Sequence, residues 1–92
     1  MPRSVKNQSG LDKVAIMLET ANGGTTKEKL LAATNLARGR LNNYLKELLE
    51  RKLISELADE DKRHVAYITT ERGFKYLAVY ISLKNIIVTP ES

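Results

Sequence analysis

The chain has 92 residues, enough for one small domain and not for two. It contains no cysteine, which excludes a disulfide framework and a thiolate metal site and fits a reducing cytosol. The apolar runs are too short to cross a membrane, and residues 1–10 lack the hydrophobic stretch of a secretory signal, so a cytoplasmic protein is expected.

Charge is distributed unevenly along the chain, whose formal net charge is +4. Residues 1–52 contain ten Lys or Arg and five Asp or Glu, a balance of +5, whereas residues 53–92 contain five and six, a balance of −1. A basic front half favours a polyanionic partner such as nucleic acid. The alternative is that this charge only keeps a small protein soluble.

The first predicted elements are a polar arm and a helix. Residues 1–8 are expected to form a disordered basic arm, in which Arg3 and Lys6 carry the charge. An apolar stripe predicts a first helix from about residue 11 to residue 21. Its expected buried side chains are Leu11, Val14, Ala15 and Leu18.

Two further helices are predicted after the turn at residues 22–24. The sequence from Thr25 fits a capping box, so a second helix is expected to start there and to end near residue 34. Asn35 is a suitable cap for a third helix, predicted over about residues 36–51.

The second half of the chain changes to the periodicity of strands. Residues 53–58 and 64–69 read as two short strands, joined by a polar turn at residues 59–63. Thr70 is expected to cap a last helix over about residues 71–88.

This order of elements predicts a winged helix-turn-helix, a mainly α fold with a small β-hairpin. The second and third helices form the helix-turn-helix, and the hairpin that follows them forms the wing. The predicted domain covers residues 9–70, the closing helix residues 71–88 and the tail residues 89–92.

The third helix separates into a buried face and an exposed one on a helical wheel. With Leu41 at the centre of the buried face, Gly39 and Asn43 point outward, and Arg38 and Arg40 lie on opposite flanks. The side chains expected beside Leu41 are Ala37, Leu45 and Leu48, and Tyr44 is expected at the edge of the buried face.

The exposed face suits a recognition helix in the major groove of DNA. A glycine removes bulk at the point of closest approach, arginines reach phosphates or guanines, and asparagines pair with adenine. The alternative is that Gly39 only marks a loose helix start on a solvated face. The predicted DNA-binding residues are Arg38, Gly39, Arg40, Asn42, Asn43 and Lys46 of the third helix, Lys27 and Lys29 of the second, and Lys62, Arg63 and His64 of the wing.

The last helix is apolar on two faces, and a domain of this size offers one core. A second subunit is the natural cover for the second face, so a homodimer is expected, parallel or antiparallel. The alternative is that the tyrosines only flank the core. The predicted core face comprises Phe74, Leu77, Ala78 and Ile81, and the predicted dimer interface comprises Tyr76, Tyr80, Leu83 and Ile87.

Catalysis, metal binding and a cofactor are not expected. His64 is the only histidine and lies beside the wing, without a second histidine or a cysteine to complete a metal site. Asp59, Glu60 and Asp61 are adjacent on a turn, which suits a solvated loop. No small-molecule site or membrane contact is evident.

Two segments resemble the small archaeal winged-helix DNA-binding proteins, which include predicted transcriptional regulators and dimeric chromatin-associated proteins. The segments are LNNYLKELLERKLI at residues 41–54 and YITTERGFKYL at residues 67–77. The resemblance implies duplex DNA binding through the third helix and dimerisation through the last. Lys52 replaces the glycine usual in that group, so it must adopt a left-handed conformation or end the helix differently.

The expected function is therefore duplex DNA binding, sequence-dependent or general, by a dimeric transcriptional regulator or nucleoid protein. The acidic wing tip at residues 59–61 would be repelled by phosphates, and it favours an alternative function as a winged-helix protein-interaction module.

Overall fold

The computed structural model describes residues 10–58 and 64–88, with side chains as far as residue 85. The predicted arm, the turn at residues 59–63 with Lys62 and Arg63, the tail and the Ile87 side chain lie outside this description. The predicted order of elements is confirmed. The elements are α1 (Gly10–Thr20), α2 (Lys27–Thr34), α3 (Arg38–Glu50), β1 (Ile54–Ala58), β2 (Val65–Thr69) and α4 (Glu71–Val88).

None of these helices is both long enough and apolar enough to span a bilayer, within the residues described. The strands form an antiparallel hairpin in which Ile54 pairs with Thr69 and Ala58 pairs with Val65. The hairpin follows α3 directly, as a wing requires.

The turn before α2 differs from the predicted capping box by one residue. Thr26 is the N-cap, with an extended backbone, and its hydroxyl accepts a hydrogen bond from the Lys29 N–H at 3.3 Å. Thr25 is instead buried and pairs with Tyr67 through two backbone hydrogen bonds of 2.8 Å. Because this pairing needs extended backbone at Thr25, the helix begins later than predicted.

The connection between α2 and α3 also differs from the prediction. Asn35 does not cap α3; it ends α2 in a left-handed conformation with φ of 60°, and its N–H donates to the Leu31 carbonyl. Asparagine tolerates this conformation better than most residues do. The Lys13 ammonium donates to the Thr34 carbonyl at 2.7 Å, so this lysine stabilises the end of α2. As a result, α3 begins at Arg38 rather than at residue 36.

The core is built from side chains of all four helices and of the hairpin. The buried face predicted for α3 is confirmed for Leu41, Leu45 and Leu48, which are all buried, but Ala37 is exposed because it lies at the N-cap, before the first helical turn. In α1 the predicted burial of Ala15 and Leu18 is confirmed and Val14 is half-buried, but Leu11 is 58% exposed and Met17, which was not predicted, is fully buried. The core comprises Ala15, Met17, Leu18, Ala21, Leu30, Leu41, Leu45, Leu48, Leu53, Ile54, Tyr67 and Leu77.

Helix α3 ends with Lys52 in a left-handed conformation, the first of the two alternatives stated in the sequence analysis. Lys52 is left-handed, with φ of 63°, and its N–H donates to the Leu49 carbonyl. The Leu53 N–H then donates to the Leu48 carbonyl at 2.9 Å. The helix therefore ends as it would with glycine, at a strain of about 1 kcal/mol.

Hydrogen bonds and one close contact connect the start of α4 to α1 and to the end of α3. The Thr69 hydroxyl donates to the Leu18 carbonyl, and the Thr70 hydroxyl donates to the Lys52 carbonyl, each at 2.7 Å. The Thr70 hydroxyl also accepts from the Gly73 N–H at 3.1 Å, which confirms the predicted cap. A Cβ at position 73 would overlap the Leu53 carbonyl oxygen.

The core face predicted for α4 is wrong in three of its four residues. Leu77 is buried, but Phe74 and Ile81 are 41% and 44% exposed, and Ala78 is exposed as well. The close contact of Gly73 with Leu53 sets the rotation of the helix, so the inward residues lie on the side that Gly73 and Leu77 share.

The two tyrosines of the predicted dimer interface are half-buried against the core of their own domain. Tyr80 donates a hydrogen bond to the Asp12 carboxylate, which together with burial raises the pKa of Tyr80. The Lys84 ammonium lies 3.9 Å from the same carboxylate. These groups attach α4 to α1, whereas Leu83 is 52% exposed.

Replacing Gly73 with alanine is expected to destabilise the domain by about 1–3 kcal/mol, because the added methyl meets backbone and the Thr69 side chain, which cannot withdraw. Urea unfolding followed by circular dichroism measures the change. The matched control is Gly39→Ala, where nothing lies within 4 Å of the added methyl. That variant should be more stable by up to about 1 kcal/mol. An unchanged midpoint for Gly73→Ala would contradict the close contact.

Candidate nucleic-acid interface

The six residues predicted on the third helix form one exposed surface, here called the α3 strip. Burial of the three leucines of α3 forces the opposite side of the helix outward. Within the residues described, no ion pair engages the arginines or the lysine of the strip. The α3 strip comprises Arg38, Gly39, Arg40, Asn42, Asn43 and Lys46, all of them exposed.

Gly39 lies in open space at the first turn of α3. No atom is within 4 Å of the position that a Cβ would take, and the backbone there is helical. Glycine inside a helix costs about 1 kcal/mol relative to alanine. Packing within the domain therefore gives no reason for glycine at this position, whereas the close approach of an external partner would.

The two arginines lie on opposite flanks of α3, as predicted. Arg38 lines a concavity of about 440 Å³, together with residues at the start of α2 and at the start of β2. This cavity is here called the Arg38 concavity. Arg40 lines a groove of about 530 Å³ between α1 and α3. The other residues of the Arg38 concavity are Thr26, Lys27, Glu28, His64, Val65 and Tyr67, and those of the groove are Gly10, Leu11, Val14, Asn43, Tyr44, Glu47 and Leu48.

The Arg38 concavity collects groups that attract an anion. Lys27, Arg38 and His64, three of the predicted site residues, meet there. The N-terminus of α3 borders it, and Ala37 at the N-cap provides no side-chain hydrogen bond to the first N–H groups. Glu28 also lines the concavity and opposes its positive charge.

Tyr67 also lines the Arg38 concavity, and sequence reasoning missed it. Burial raises the pKa of Tyr67, and the carboxylates of Glu56 and Glu28 raise it further, so the phenol remains a proton donor at neutral pH. The alternation of side chains along β2 indicates which way Tyr67 faces, but in the sequence analysis this pattern serves only to predict the wing. Lys29 is exposed nearby on α2 but does not line the concavity.

The Arg40 flank has a different character, because its groove is floored by apolar side chains of α1 and α3. The acidic group on this flank is Glu47, whose carboxylate is 2.7 Å from the Arg51 guanidinium, one helical turn away. Both partners are more than half exposed, so the pair contributes little stability but offsets the charge of Glu47 locally.

The described residues contain no group of three or more His, Cys, Asp or Glu side chains that could hold a metal ion. Asp59, Glu60 and Asp61 lie outside the description, as do Lys62 and Arg63, so the contribution of the wing tip stays a prediction.

Several solved structures share this fold at low sequence identity. BpsR of Bordetella bronchiseptica, whose DNA binding is regulated by 6-hydroxynicotinic acid, is 18% identical with a TM-score of 0.72, over 95% of this chain and 65% of its own. Sso10a-2, a DNA-binding protein from Sulfolobus solfataricus, is 12% identical with a TM-score of 0.73, over 87% of this chain and 85% of its own.

A cysteine-to-serine mutant of Escherichia coli MarR, solved with operator DNA, is 20% identical with a TM-score of 0.64, over 83% of this chain and 55% of its own. The chain thus spans about two thirds of the length of BpsR and about half that of MarR. At these identities the similarity establishes the fold. No curated protein has a sequence that matches the chain.

The family itself is established by the sequence. The model of the winged helix-turn-helix family matches residues 9–87, nearly the whole of the chain. The narrower resemblance to an archaeal subgroup stays a prediction. The helix order, the hairpin placed after α3 and the family match lead to one conclusion: the chain belongs to the winged helix-turn-helix family.

Proposed function

We propose that this protein binds duplex DNA as a homodimer, with the α3 strip in the major groove, and acts as a transcriptional regulator or nucleoid protein. The observation that carries the proposal is the open space around Gly39 on an exposed strip that also holds two arginines and two asparagines. The DNA-binding structural neighbours support the same class of partner.

The chemistry of the strip fits base edges at its centre and phosphates at its sides. Asn42 and Asn43 each present an amide that can donate to and accept from adenine. Arg38 and Arg40, on opposite flanks, reach toward the two walls of the groove. Lys46 lies farther along the helix and meets a phosphate.

The Arg38 concavity is proposed to bind one backbone phosphate. Lys27 and His64 bring positive charge or a proton donor from two other elements, and the uncapped start of α3 offers backbone N–H groups. Lys29 would contact the next phosphate along α2, and Lys62 and Arg63 would extend the contact from the wing.

Dimerisation is proposed to occur through α4. Every described side chain from Ile81 to Asn85 is exposed, so this part of the helix is little covered by its own domain. Phe74, Ala78 and Ile81 form an exposed apolar face at helical spacing. A second copy would cover this face, and two-fold symmetry would present two α3 strips to successive major grooves.

The described residues of the dimer interface predicted from the sequence lie on other sides of α4. Leu83 is exposed but lies on the opposite side of α4 from Phe74, Ala78 and Ile81. Tyr76 and Tyr80 also lie away from that face and pack against their own domain.

A second candidate function is a protein-interaction module of the same fold. The acidic wing tip at residues 59–61 and the Glu28 carboxylate in the Arg38 concavity favour it, because both oppose a phosphate backbone. Charge reversal on the α3 strip separates the two candidates.

The double variant Arg38→Glu/Arg40→Glu is expected to lower affinity for a mixed-sequence duplex by about 100-fold or more, since each reversed charge replaces attraction to phosphate by repulsion. Fluorescence anisotropy at several salt concentrations measures the affinity and its salt dependence. The control Arg72→Glu/Lys75→Glu, equally exposed but on α4, should bind as the wild type does. Equal affinities for the wild type and the α3 double variant would favour the protein-interaction module.

The double variant Phe74→Glu/Ile81→Glu is expected to be monomeric, because four carboxylates per dimer would meet in an apolar interface. Light scattering coupled to size exclusion measures the mass. Leu83→Glu tests the other side of α4 and should leave the dimer intact or weaken it less. A dimer that survives the first variant and is lost in the second would place the interface on the face of Tyr76, Tyr80 and Leu83, as predicted from the sequence.

A further inference from the structure

A second positively charged surface lies between the end of α3 and the first turns of α4. It is a cleft of about 430 Å³, here called the α3–α4 cleft. Its floor is apolar, its rim carries three cations, and no carboxylate of the described residues lines it. The lining residues are Leu53, Tyr76 and Val79 on the floor and Arg51, Arg72 and Lys75 on the rim.

The rim cations are available to a partner. Arg72 and Lys75 are exposed, and neither forms an ion pair with another residue in the part of the chain that the structure describes. Arg51 shares its charge with Glu47, but its side chain is 66% exposed and the pair is open to exchange. Val79 is 59% exposed, so the floor presents apolar surface directly to water.

The cleft is separate from the proposed DNA surface. Arg51 follows Arg38 by 13 residues, which corresponds to about 20 Å along a helix with a rise of 1.5 Å per residue. It is also separate from the apolar face of Phe74, because Lys75 and Val79 lie roughly 90–150° around α4 from that face. Neither duplex DNA on α3 nor a second copy on the apolar face would cover it.

We propose that the α3–α4 cleft binds an acidic peptide segment of a partner protein, in which an apolar side chain is flanked by carboxylates. The apolar side chain would cover Val79 and Tyr76, and the carboxylates would pair with Arg72 and Lys75. Arginine suits this role because its planar guanidinium can hold a carboxylate with two parallel hydrogen bonds.

The chemistry of the floor favours a peptide over a second duplex. The outer surface of a duplex is convex and consists mainly of phosphates, and its thymine methyl groups lie inside the major groove, where they do not reach Val79, Tyr76 and Leu53. Binding phosphates there would satisfy the rim but leave the floor exposed. A peptide satisfies both, since apolar contact and charge pairing come from neighbouring residues of one segment.

The test is binding of a fluorescein-labelled decapeptide in which aspartates and glutamates surround a single phenylalanine, measured by anisotropy with the full chain. Arg72→Glu/Lys75→Glu should weaken peptide binding about tenfold or more. A peptide with serine in place of phenylalanine should also bind about fivefold more weakly, without any change to the protein. Arg38→Glu/Arg40→Glu should bind the acidic peptide as tightly as the wild type does.

Three results would overturn the proposal. The first is an absence of saturable binding to the wild type. The second is loss of peptide binding in Arg38→Glu/Arg40→Glu with retention in Arg72→Glu/Lys75→Glu, because the peptide would then only mimic DNA on the α3 strip. The third is a reduced number of duplexes bound by Arg72→Glu/Lys75→Glu, which would assign the cleft to a second DNA. Circular dichroism confirms that each variant is folded.

Discussion

Burial of three leucines on one side of α3 is the constraint on which the rest of the structure depends. Leu41, Leu45 and Leu48 recur at the spacing of a single helical face, and each is at most 3% exposed. Their burial leaves α3 one rotation about its axis, because any other would expose apolar area worth several kcal/mol. The exposed position of Gly39, the asparagines and the two arginines follows from that rotation.

A second constraint connects the proposed DNA surface to the helix that is proposed to dimerise. Lys52 turns the chain at the end of α3, Thr70 bonds to its carbonyl, and Gly73 allows α4 to approach the Leu53 carbonyl. These contacts make α3, the wing and α4 one unit. In a dimer formed through α4, the separation of the two α3 strips would therefore be set by the fold rather than by a flexible linker.

Most of the fold could be predicted from the sequence. The spacing of apolar residues indicates which segments are helices and which are strands, and the order of these elements predicts the wing. The predictions fail where a distant contact decides local structure, or where one residue type suits both the end of a helix and the start of the next. Thr25 looked like a cap but pairs with Tyr67, and Asn35 looked like the start of α3 but ends α2. In α4 the apolar residues extend around most of the helix, so periodicity did not identify the inward side. The contact at Gly73 identifies it, and that contact has no signature in the sequence.

The most direct measurement is duplex affinity of Gly39→Ala, compared with the wild type by anisotropy on the same DNA. If DNA approaches the α3 backbone closely at Gly39, a methyl group added there should weaken binding while leaving the fold intact. A loss of about tenfold in affinity, in a protein at least as stable as the wild type, is expected. Undiminished affinity would contradict the placement of the α3 strip against DNA.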